Sequence, residues 1–237
     1  MHPEEALRTD FSRRCEDAAG RAHSAYQHLD TCTTAQQLTD AWTAASLQRH
    51  LVQDECEDLI MAHPDLANAC QADKTLWRYV FYTPISECRK RLRLPADSTC
   101  DDGYAASITS LSATSDWGHQ WWAMTLNSLL CEAVGYMQPL FVLQVGAHKG
   151  TSLQSAIRYV RGQENKRCAR FQIARRLMVY IGDVYRYQHL HQGDLYVHEV
   201  PLPDTSTFIA LARSAYMCAQ AMHFDSGRVC EQMALLA

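Results

Sequence analysis

The segment RRLMVYIGDVYRYQ, Arg175 to Gln188, decides how this chain is read. Its apolar positions continue a seam of Phe171, Ala174, Met178, Ile181 and Tyr185, spaced three, four, three and four, which keeps side chains on one face of a helix. Arg175, Gly182 and Arg186 fall on the other side. Arg175 and Arg186 are eleven residues apart, close to three full turns, so they share a face with Gly182 as a gap between them. Glycine inside a helix costs about 1 kcal/mol relative to alanine, so its presence asks for a reason. The spacing offers one: room for an anion held by flanking guanidinium groups.

Working outward, residues 3–28 and 34–61 repeat apolar side chains at three- and four-residue steps and read as an antiparallel pair of amphipathic helices. A turn at His63-Pro64-Asp65 precedes a helix over 73–93, with Trp77, Val80 or Phe81, Ile85 and Cys88 inward and a kink or restart imposed by Pro84. The polar stretch 95–115 reads as a loop. Residues 116–144 form the most buried helix, with Pro139 marking a kink, and 145–164 connect it to the helix over 165–190. An alanine-rich helix over 205–222, a short turn and a helix from 227 have the form of one unit of a helical repeat array. The expected fold class is all-α, an antiparallel bundle over 1–200 running into a helical hairpin over 201–237.

Composition narrows the function classes. Hydrophobic residues make up 47% and charged residues 20% of the 237, ordinary globular usage. The net charge of -4 gives no bulk case for nucleic acid, but 18 of the 22 basic residues are arginine. They cluster at Arg89–Arg93 and from Arg158 to Arg176, and the second cluster is the expected contact surface if the chain binds nucleic acid, DNA or RNA. No cysteine pair has CxxC spacing, which excludes a zinc ribbon or a thioredoxin motif. Without an apolar leader or a run of about 18 apolar residues, the expectation is a cytoplasmic protein with no membrane partner.

Enzymatic motifs fail one by one. GAHKGTS, Gly146–Ser152, lacks the glycine spacing of a phosphate loop, and no GxSxG, HExxH or dinucleotide loop occurs. His189, His191 and His198 lack a carboxylate or cysteine at ligand spacing, and Trp121-Trp122 reads as core rather than as a base-stacking platform. No catalytic residue, metal or cofactor is expected.

GDVYRYQ resembles the phosphate-binding helix of 14-3-3 proteins, in which an arginine and the tyrosine after it hold a phosphoserine. Together with LWRYVFYTPI (76–85) and GRVCEQMALLA (227–237), it resembles more specifically the SMG-five, SMG-six and SMG-seven group, relatives of Est-one, and within it the SMG-five branch. The resemblance implies a 14-3-3-like bundle followed by a TPR-like hairpin and a non-catalytic adaptor role in nonsense-mediated mRNA decay. It further implies shuttling through the nucleus, a heterodimer with an SMG-seven-like protein, binding to the phosphorylated surveillance helicase, and contact with phosphatase subunits. By the same comparison Arg186 and Tyr187 are phosphopeptide-binding residues, joined by Arg89, and the helix spacing adds Arg175 and Gly182 on the cradle face. Tyr82, followed by Thr83-Pro84 as in the SMG-five branch, stands where SMG-seven and 14-3-3 proteins carry lysine, which implies a weakened phosphate pocket.

Overall fold

The computed structural model describes residues 3–92, 116–146, 151–161, 168–191, 205–222 and 227–236, and all regular structure among them is helical. The helices are α1 (Pro3–His28), α2 (Ala35–Ala62), α3 (Pro64–Cys70), α4 (Ala72–Thr75), a π-helical segment (Leu76–Tyr82), α5 (Thr83–Leu92), α6 (Asp116–Gln144), α7 (Leu153–Arg161), α8 (Ala169–Leu190), α9 (Thr205–Met222) and α10 (Gly227–Ala234). The all-α class expected from the periodicity is what the chain adopts. The loop expected over 95–115 and the domain boundary expected at residue 200 lie outside the described residues.

The chain divides into two compact units, Met1–Asp58 with Thr75–Leu126, and Leu59–Lys74 with Asn127–Ala237. In the first, α2 starts at a capping box. Thr34 Oγ1 accepts the Gln37 amide at 3.2 Å, and Gln37 Oε1 accepts the Thr34 amide at 3.2 Å and the Thr33 amide at 2.9 Å. Arg21 meets Gln48 and Arg14 meets Glu55, so rising numbers on α1 match falling numbers on α2: the pair is antiparallel. Trp42 of α2 lies within 6 Å of the rings of Tyr26, Trp121 and Trp122, and Trp122 is 1% exposed. Trp122 is thus core, as expected, while Trp121 is half-buried against the same Trp42 ring.

Pro84 restarts its helix by a specific device. The preceding turn widens to π register, with the Thr83 amide bonding Arg78 O five residues back, reinforced by Thr83 Oγ1 at 2.7 Å. An α-helix would send the N–H of residue 84 to Val80 O, and proline has none. The buried Arg49 replaces it, Nη1 donating to Val80 O at 3.2 Å.

In the second unit, α3 begins at Pro64 itself, nine residues upstream of the expected helix start, because proline is favoured in a first helical turn. It ends at Gln71, which takes the left-handed conformation with φ 55°. α7 lies inside the expected connection 145–164. Ser152 caps it by accepting the Ser155 amide at 3.3 Å, and Ala156, Ile157 and Val160 form its buried face.

α6 runs on through Pro139, which lies on its exposed face, where water can satisfy the carbonyl that the proline leaves unbonded. By length and composition α6 is apolar enough over Gly118–Gln144 to cross a membrane, although Leu126, Leu130, Ala133, Met137 and Phe141 are buried in protein.

Candidate functional site

α8 is the core helix of the second unit, buried on every side from Leu177 to Tyr185. The face expected to be open at Gly182 is occupied. A Cβ built on Gly182 would lie 2.4, 2.7 and 2.8 Å from Cε1, Cδ1 and Cζ of Tyr216, so the glycine admits the ring of α9 rather than an anion. This corrects the cradle reading of Gly182.

The Tyr216 ring brings its hydroxyl to the next residue of α8, donating to Asp183 Oδ1 at 2.7 Å. Burial, then the Asp183 charge, push the Tyr216 phenol far above its usual range, while a hydrogen bond from Arg186 opposes them. Asp183, Tyr216 and Arg186 therefore form a continuous polar chain inside otherwise apolar packing. Arg186 also lies over the Tyr187 ring, Cζ 4.8 Å from its centroid, so the two residues expected to act together are in contact. The buried Arg186 Nε finds no hydrogen-bond partner among the described residues. Tyr187 itself is 6% exposed.

Arg175 and Arg176 part company. Arg176 turns inward, Nε to Asp73 Oδ2 at 2.6 Å, Nη2 to Asp73 Oδ1 at 2.9 Å and to Asn68 Oδ1 at 2.7 Å, tying α8 to α3 and α4. Burial alone would lower its basicity, but the Asp73 bonds prevail and the shift is upward. Half-buried Arg175 moves the other way, through burial and then the Arg176 charge beside it. The basic run is consequently not one continuous surface: Arg158 and Arg170 are exposed and Arg176 is not available.

Tyr82 and Arg89 belong to the first unit, apart in sequence and in compact unit from Arg175, Gly182, Arg186 and Tyr187. Tyr82 is 41% exposed and its ring lies 6.1 Å from that of Trp77; Arg89 is half-buried on α5. Among the described residues no group of three His, Cys, Asp or Glu side chains is placed to hold a metal, and His198 lies outside them.

Sequence reasoning missed Tyr216 and Asp73. A large ring flanked by Ala212, Ala215 and Ala219 was a legible sign of a knob seeking a hole, and Gly182 is that hole. Asp73, 103 residues from Arg176, carries no local signal. No protein-family profile, curated protein or solved structure matches the chain.

Proposed function

We propose that the chain is a non-catalytic helical adaptor of nonsense-mediated mRNA decay, as its resemblance to the SMG-five branch implies. It works in the cytoplasm by pairing with an SMG-seven-like partner and binds the phosphorylated helicase only weakly. The observation that carries this order of activities is Tyr216. Its ring fills the room at Gly182 and its hydroxyl engages both Asp183 and Arg186, so the arginine of the resembling motif serves the fold first. The remaining Arg186 Nε, beside Tyr187, is a fraction of a phosphate clamp. With Tyr82 in place of a lysine, one charge-assisted hydrogen bond worth about 1.5–3 kcal/mol is missing as well.

Calorimetry of the whole chain against an SMG-seven-like 14-3-3 domain, and against a phosphoserine peptide and its unphosphorylated twin, tests the reading. Partner binding should be unaffected by Arg186→Gln, and the phosphate preference should stay below about tenfold. Strong phosphate-dependent binding lost in Arg186→Gln would reverse the order, and absence of partner binding would remove the adaptor reading.

A further inference from the structure

The first unit contains a cavity of about 420 Å³ between α1, α2 and the π-helical segment with α5, a volume typical of small-molecule sites. Its apolar wall is made by Ala19, Ala22 and Val52, all buried. Two guanidinium groups, Arg49 and Arg78, and one carboxylate, Glu87, supply the charge.

These charges are not equivalent. Glu87 is engaged by the buried Arg91, Oε2 to Nη1 at 2.5 Å, an arginine that it shares with Asp30, and this one carboxylate faces two guanidinium groups in the lining. Arg49 is fixed in the wall at 4% exposure by its bond to Val80 O. Arg78 is exposed and lies over the Tyr79 ring at 5.3 Å, with no carboxylate at ion-pair distance among the described residues. The lining is therefore net cationic on one side and apolar on the other. The wall that carries Arg78 and Tyr79 is the π-helical turn, a distortion frequent at functional sites.

We propose that this cavity binds a small amphipathic organic anion, its acidic head held by Arg78 at the rim and Arg49 in the wall, its apolar body against Ala19, Ala22 and Val52. Arginine suits such a head because its planar fork meets two oxygens at once. The inference stands apart from the adaptor reading: Tyr82 and Arg89 share these elements, but neither they nor Arg186 and Tyr187 line the cavity.

The probe is 1-anilinonaphthalene-8-sulfonate, with N-phenyl-1-naphthylamine as its uncharged counterpart, titrated by fluorescence into the whole chain. The sulfonate should saturate a single site. Arg78→Ala should weaken it about fivefold or more and leave the uncharged dye unchanged, the loss of one exposed charge-assisted contact. Ala22→Leu, which fills the cavity, should abolish binding of both dyes. Sulfonate binding that ignores Arg78→Ala, or affects both dyes alike in that variant, overturns the proposal, as does the lack of a saturable site. Because Arg78 is exposed, its variant carries the test even if Ala22→Leu fails to fold.

Discussion

A single hydrogen at Gly182 separates good packing from collision. Tyr216 is wholly buried, so its ring cannot retreat from a Cβ that would sit 2.4 Å away. Overpacking of this kind costs about 1–3 kcal/mol, while alanine returns about 1 kcal/mol of helix propensity. Gly182→Ala should therefore destabilise by up to about 2 kcal/mol in urea unfolding. In a Tyr216→Leu background the same change should be neutral or stabilising, since the atoms it strikes are gone. At Asp73 the penalty is electrostatic. Its side chain has no exposed area, and Arg176 is its ion-pair partner. Arg176→Ala should cost about 3 kcal/mol by leaving a buried carboxylate unanswered, and Asp73→Asn in that background should recover part of it.

Elements show where local chemistry was decisive and where it was overruled. α1, α2, α6 and α9 begin and end within a residue or so of the positions their periodicity marks, because amphipathic spacing over many turns leaves little choice of face. α7 was equally legible, with Leu153, Ala156, Ile157 and Val160 at helical spacing after a capping serine, but glycines on both flanks disguised it as a connection. The π-helical segment had only a partial signal. Pro84 announces a missing donor, yet nothing local announces that Arg49, 31 residues before Val80, would satisfy the orphaned carbonyl. The compensation can be measured. Arg49→Met should destabilise by about 1–3 kcal/mol, and Pro84→Ala, which restores an amide to that turn, should lessen the loss. Ser152→Ala should cost about 1 kcal/mol through the α7 cap, read from the unfolding midpoint.

Across the whole molecule, burial of acidic protons sets the response to alkali. Burial raises the Tyr216, Tyr185 and Cys88 groups, the Asp183 charge adding to it at Tyr216 and a Gln138 hydrogen bond opposing it at Tyr185. The folded chain then keeps protons that the unfolded chain releases at about pH 8.5–10. This contribution to stability is complete below that window and is lost as pH rises through the folded-state values. Urea midpoints measured under reducing conditions from pH 7 to 11 should fall at the alkaline end. Tyr216→Phe should be less stable at neutral pH and show a shallower alkaline decline. The candidate site divides in the same way between local and distant information. The contact of Arg186 with Tyr187 was legible because the two are adjacent, whereas the occupant of the Gly182 gap comes from 34 residues further on, beyond any periodic signal.

Neither compact unit is continuous in sequence, since residues 59–74 of the second interrupt the first. A ribosome therefore delivers Trp42 long before the Trp121 and Trp122 rings that cover it. At ordinary elongation rates of about 5–20 residues per second, that interval is roughly 4–16 s. The nascent chain must carry an uncovered indole through this time, and the first unit closes only as α6 emerges.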